Sequence, residues 1–179
     1  MKNELLEQVL EVAESAGRAA MEHYGGEGPV EYKDDDSPLT LAAKAAHFVI
    51  VNALQVLDPW LPVLSEESAQ EEISERKSWD DFWVVDPLDG SKEFIKQSGE
   101  FTVNIARVRG GESVLGVVHA PVSGDFYYAS REGGAFVRRP DGELEEIFVR
   151  QAAPPGLKLV ASKDHAGPRV ADLLQRLEG

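Results

Sequence analysis

The sequence predicts an α+β domain. Two segments with helical apolar spacing come first, and a run of short strands joined by glycine turns follows. The chain has 179 residues, 42 % of them hydrophobic, which is enough for one domain with a real core and too apolar for global disorder.

The elements can be justified in order. Over residues 3–24, Leu6, Val9, Leu10, Ala13, Ala16, Ala20 and Tyr24 recur at helical spacing, and Gly25-Gly26 ends that helix. Residues 30–33 read as a short strand and 34–38 as a loop. Thr40 is placed to cap a second helix through Ala45, Phe48, Val49, Ala53 and Leu57, which Asp58-Pro59 stops. Residues 61–65 form an apolar strand ending at Glu66-Glu67, and an acidic, helical or irregular stretch runs on to Asp81. Residues 82–85 are the next strand. Strands 101–107 and 114–119 flank a hairpin turn at Gly110-Gly111, and Ser123-Gly124 turns the chain into Phe126-Tyr127-Tyr128. Gly133-Gly134 and Pro140-Asp141-Gly142 are further turns. Residues 147–149 and 157–161 read as strands, 153–156 as a linker and 170–177 as a last helix.

Composition excludes several function classes. No apolar run of about 18 residues predicts a membrane span. The first residues carry no secretory apolar region. The absence of cysteine excludes disulfides, thiolate metal sites and cysteine nucleophiles, and fits a cytoplasmic setting. The formal net charge of -14 repels nucleic-acid backbones, so no nucleic-acid polymer is expected as a partner. An anionic small molecule stays admissible, because bound cations invert the local sign.

The densest chemical signal is Trp83-Val84-Val85-Asp86-Pro87-Leu88-Asp89-Gly90-Ser91-Lys92-Glu93-Phe94. An apolar strand runs into two carboxylates three residues apart, closed by a glycine and a hydroxyl. Mg²⁺ is a hard cation that takes oxygen ligands. Asp86 is expected to end the strand. Pro87 stiffens the turn, Asp89 folds back beside Asp86, and the Leu88 carbonyl offers another oxygen. Gly90 allows close backbone approach to a ligand, and the Gly90 and Ser91 amides are placed to receive a phosphate. Glu66 converges on Asp86 if strands 61–65 and 82–85 lie side by side. Asp-Pro and Asp-Gly are also common turn dipeptides, so the turn alone fits an ordinary loop as well. Leu64-Ser65-Glu66-Glu67 upstream favours the metal site.

A Glu-Glu pair after a strand, then Asp-Pro-(Leu/Ile)-Asp-Gly-(Thr/Ser), resembles the inositol monophosphatase superfamily, and within it the CysQ-type 3'(2'),5'-bisphosphate nucleotidases. The likeness continues, in order, through residues 33–40, 86–94, 99–106, Leu115-Gly116-Val117-Val118, Ala120-Pro121-Val122 and Gly134-Ala135-Phe136. It implies the N-terminal domain of the inositol monophosphatase-like (sugar phosphatase) fold over 1–153, an antiparallel sheet packed with two long helices. Residues 154–179 would begin the family's second domain, largely missing. Glu66, Asp86 and the Leu88 carbonyl would hold one Mg²⁺, and Asp86 and Asp89 would share in a second. Gly90, Ser91 and Lys92 would contact the substrate phosphate, with Ser91 as the catalytic hydroxyl. The implied reaction is Mg²⁺-dependent hydrolysis of a phosphorylated small molecule, 3'-phosphoadenosine 5'-phosphate to AMP.

Two departures bear on that expectation. The resemblance places Ala43 where the family has an Asp that pairs with the turn's Ser or Thr, and Asp35 or Asp36 is the candidate substitute. Family members also continue for roughly half as much chain again, within ordinary domain size, including a Trp-Asp-x-Ala-Ala motif whose Asp completes the second cation site. The alternatives are therefore a truncated or split enzyme and a metal- or phosphate-binding module without turnover. A third is a homo-oligomer, in which a second copy supplies the missing ligands. His23, His47, His119 and His165 show no ligand spacing and read as structural or surface residues. Asp34-Asp35-Asp36 and Lys33 read as solvated. Trp83, Phe82, Phe101 and Phe126 read as core. Ser91 lacks the Gly-x-Ser-x-Gly context of a serine hydrolase.

Overall fold

The structure, a computed structural model, describes residues 4–25, 31–32, 38–39, 41–68, 76–150 and 168–177. The chain forms two compact units, Met1–Ile147 and Phe148–Gly179.

In the first unit, α1 (Glu4–Met21) buries Val9, Leu10, Val12, Ala13, Ala16, Gly17 and Ala20. Its apolar positions recur every three to four residues, which gathers them on one face. A two-residue ladder pairs β1 (Glu31–Tyr32) with β2 (Pro38–Leu39). The second helix, α2 (Leu41–Leu57), buries Ala42, Ala43, Ala46, Ile50 and Leu54. Alanines on both buried faces let the helices approach closely.

A seven-stranded sheet follows, with strands in sequence order: β3 (Val63–Ser65), β4 (Asp81–Asp89), β5 (Thr102–Arg109), β6 (Glu112–Ala120), β7 (Asp125–Ser130), β8 (Gly134–Arg138) and β9 (Leu144–Glu146). A 3-10 turn, Arg76–Ser78, precedes β4, and the short helix α3 (Ser91–Ile95) separates β4 from β5. The helix α1 packs on α2, β5 and β6, and α2 on β4. The core lies there, around Trp83, Val85, Val103, Ile105, Leu115 and Val117. Side chains alternate along a strand, so Val84, Asp86, Asn104 and Val118 project from the opposite face. Gly110 and Gly111 both take positive φ (58° and 75°), the conformation a tight two-residue hairpin requires.

The α+β class and both long helices stand as expected, and four details differ. The sheet is mixed, because β3 pairs parallel with β4. The strand expected over 82–85 runs on through Pro87 to Asp89. Residues 34–38 were expected as a loop, whereas Pro38 belongs to β2. The strand expected at 147–149 lies at Leu144–Glu146. There the pairing uses the backbone of an acidic segment, while Phe148 and Val149 are exposed. The loop 34–36, Lys33, Thr40, the linker 153–156 and the strand 157–161 lie outside the described residues.

In the second unit, helix α4 (Pro168–Leu177) carries an Arg176–Asp172 ion pair one turn apart at 2.7 Å. Among the described residues no helix is long and apolar enough to cross a membrane.

Candidate active site

The site begins with the parallel pairing. Leu64 lies opposite Val84 and Ser65 opposite Val85, and the Glu66 amide donates to the Val85 carbonyl at 3.2 Å. Glu66 therefore leaves β3 beside Asp86. A second link fixes the end of β3: Ser65 is buried, its hydroxyl lies 2.8 Å from His47 Nδ1 on α2, and it accepts from the Glu67 amide at 3.3 Å.

Asp86 and Asp89 meet through a β-bulge. Residues three apart on a regular strand point to opposite faces. Here Asp86 pairs with Asn104, Asp89 pairs with Thr102, and the register shifts between them. Three steps on β4 oppose two on β5, and the extra residue returns Asp89 to the face of Asp86. Pro87 suits the bulge because it has no amide to give to the ladder. Asn104 confirms the shared face. It stands opposite Asp86, and its Nδ2 donates to Asp89 Oδ2 at 3.4 Å. Asp86 was expected to end its strand; instead the strand carries both carboxylates.

Asp86 is the most perturbed acid in the described chain. Burial, then the negative charges of Glu66 and Asp89, push its carboxyl up to about 7. A hydrogen bond shared with Glu66 adds to the rise, and the Leu88 amide, donating to Asp86 Oδ1 at 3.2 Å, opposes it.

The turn that follows is tightly determined. Leu88 is buried, and its carbonyl accepts from Ser91 Oγ at 3.5 Å. Gly90 has φ of 97°, and a Cβ there would lie 2.9 Å from the Glu100 carbonyl oxygen. The close neighbour that demands glycine is thus this backbone oxygen. Ser91 opens α3, and Lys92 is exposed on its first turn. Phe94 anchors α3 through edge contacts with Phe101 at 4.9 Å and Tyr24 at 5.2 Å. Ala43 is buried in α2, so no carboxylate reaches Ser91 from that position.

No set of three or more His, Asp or Glu side chains among the described residues stands arranged to hold a metal ion. Glu66 and Asp89 each act on Asp86, which holds its proton in the hydrogen bond shared with Glu66. The donor chemistry nonetheless fits a hard cation. It comprises the carboxylates of Glu66, Asp86 and Asp89, and the Oδ1 of Asn104, which is buried and accepts no hydrogen bond. A cavity of about 450 Å³ lined by Gly17, His119, Phe126 and Arg138 shares no residue with these groups. His47 takes the structural role expected of it, through its contact with Ser65, whereas sequence reading gave Ser65 and Asn104 no role in the site. The one available signal was polar residues at inward or mid-strand positions of apolar segments.

Residues 1–172 match the model of the inositol monophosphatase family. The chain belongs to that family. The family is one of phosphatases, and the chain shares its scaffold. It is 49 % identical over 176 residues to the 3'(2'),5'-bisphosphate nucleotidase CysQ of Salmonella typhimurium, covering 97 % of this chain and 69 % of that protein. The Escherichia coli (strain K12) protein of the same name is 46 % identical over the same shares. Among solved structures, CysQ from Bacteroides thetaiotaomicron, a bacterial member of the family, superposes with a TM-score of 0.74 at 34 % identity, covering 99 % of this chain and 69 % of that one. The extragenic suppressor protein suhB from Bartonella henselae gives a TM-score of 0.67 at 31 % identity over 75 % of this chain. This chain spans about half (53 %) of that structure.

Proposed function

We propose that the chain acts in Mg²⁺-dependent hydrolysis of a phosphate monoester, with a 3'(2'),5'-bisphosphate nucleotide, 3'-phosphoadenosine 5'-phosphate, as substrate and AMP and phosphate as products. The observation that carries this reading is the bulge, which sets Asp86 and Asp89 on one face beside Glu66. It stands in a chain half identical to proteins named for that nucleotidase activity.

In this reading Glu66, Asp86 and the Leu88 carbonyl hold one cation, and Asp86 and Asp89 share in a second. The chemistry bound cations supply is neutralisation of the phosphoryl charge and activation of a water. The protein's own part is positioning. Gly90, Ser91 and Lys92 orient the phosphate for attack in line with the departing 3'-oxygen. The new oxygen–phosphorus bond forms from water as the phosphorus–3'-oxygen bond breaks, and the leaving oxygen takes a proton. Ser91 holds its own hydroxyl proton toward the Leu88 carbonyl. Residues 154–179 open the family's second domain, and the setting is cytoplasmic.

The test is phosphate release from 3'-phosphoadenosine 5'-phosphate with Mg²⁺, beside Asp89→Asn. Release that the substitution abolishes supports the reading, and release equal in both proteins refutes it. Ala43 favours a second reading, a cation-binding module without turnover. Mg²⁺ binding by calorimetry, lost in Asp89→Asn and unaccompanied by phosphate release, would select that one.

A further inference from the structure

We propose that Asn104 belongs to the cation site, its Oδ1 serving as a neutral oxygen donor to the cation shared by Asp86 and Asp89. The inference rests on the cation-site reading above and extends it to a residue outside the carboxylate motif.

Three observations converge on it. Asn104 lies directly opposite Asp86 in the β4–β5 ladder, and side chains so placed are neighbours on one face. Its Nδ2 donates to Asp89 Oδ2 at 3.4 Å. That contact fixes the amide's sense, since the flipped amide would set two oxygens against each other. With Nδ2 committed to Asp89, Oδ1 is left buried without a donor. An unsatisfied buried acceptor is costly, and folded proteins seldom keep one without a use. Trp83 Nε1 is the other such atom among the described residues. It lies on the helix-packed face and faces no carboxylate cluster of this kind.

The charge balance points the same way. Three carboxylates already gather here, Glu66 beside Asp86 at the end of β3 and Asp89 on the face of Asp86. A fourth would deepen their repulsion, whereas an amide oxygen adds a hard donor without charge. Hard divalent cations accept Asn carbonyl oxygens readily.

The experiment titrates the full chain with Mn²⁺, following free ion by its electron paramagnetic resonance signal, for wild type, Asn104→Leu and Asn104→Asp. Leu keeps the volume and removes both polar atoms. Asp keeps an oxygen and loses the donor to Asp89. We expect Leu to weaken Mn²⁺ binding about tenfold and Asp to bind at least as tightly as wild type. Thermal melts in EDTA control for folding, and Leu should melt no lower than wild type, because it removes an unsatisfied acceptor. Wild-type affinity in Asn104→Leu overturns the proposal. So does an Asp variant weakened as much as Leu, which would reduce Asn104 to a prop for Asp89. Absence of Mn²⁺ binding in the wild type would instead overturn the cation-site reading, and this inference with it.

Discussion

Replacing Asp86 with Asn should stabilise the protein in the absence of divalent cations while removing its capacity to bind them. The shift of Asp86 from 3.8 to about 7 corresponds to about 4 kcal/mol as an upper bound, at about 1.4 kcal/mol for each pH unit. Partial solvation and relaxation of the neighbouring carboxylates bring the expected gain to about 2 kcal/mol. Asn keeps the Oδ1 acceptor for the Leu88 amide, and its new NH₂ faces the Glu66 carboxylate. The sign follows from which state holds the proton. Folded Asp86 keeps its proton to about pH 7, while the unfolded chain releases it near 3.8. The stability this protonation supplies is complete below 3.8 and is lost as pH rises to about 7. The gain from Asn should therefore be small near pH 4, grow up to pH 7 and stay level above it. Thermal melts of both proteins in EDTA, from pH 4 to 8.5, measure it. A rise of about 5 °C is expected at pH 8 for a unit of this size. A difference between the two proteins that does not vary with pH, or a variant less stable at pH 8, would show that the three carboxylates do not strain one another.

Three further outcomes are expected. Gly17→Ala should destabilise by about 1–3 kcal/mol in urea unfolding, although alanine normally strengthens a helix. The added Cβ would lie 2.7 Å from the ring of His119, which is stacked on Phe126 at 3.9 Å and held by the Asp125 carbonyl at 3.1 Å. Arg107→Lys should cost about 1 kcal/mol, because the guanidinium grips both Asp81 oxygens at 2.8 and 2.9 Å and lysine cannot. Arg107, and after it Arg109, lower the Asp81 carboxyl to about 2, so the contribution of these ion pairs is present above 3.8 and lost as pH falls through 2. Acid unfolding of the Lys variant should consequently begin at higher pH. Mg²⁺ should raise the melting temperature of the wild type and leave Asp89→Asn unchanged, as scanning calorimetry would read.

Much of the fold was legible because side-chain burial and glycine placement wrote it. The helices α1 and α2 followed from apolar spacing, and the β5–β6 hairpin from Gly110-Gly111. Where backbone pairing parts company with side-chain pattern, reading failed. Ile147-Phe148-Val149 looks like a strand, yet the edge of the sheet is Leu144–Glu146. An edge strand needs only its backbone to pair, and charged side chains there discourage further pairing. The parallel partnership of β3 and β4 was legible only as the side-by-side placement that would bring Glu66 to Asp86, since pairing direction itself depends on how the chain returns between the strands.

The site shows the same division more sharply. The residue types were readable: Glu66, Asp86 and Asp89 are carboxylates at strand ends, followed by glycine and a hydroxyl. Their meeting was expected from a turn at Pro87, but not that it happens inside the strand, whose periodicity assigns Asp86 and Asp89 to opposite faces. A single extra residue at Pro87-Leu88 reverses that assignment, and it depends on β5 holding its own register through Asn104 and Thr102. The cation-site chemistry therefore rests on a strand that carries none of the signature carboxylates. A regular β4, with one residue deleted between Asp86 and Asp89, would keep both acids. In that strand the two acids, now two residues apart, would share a face by simple alternation and without a bulge.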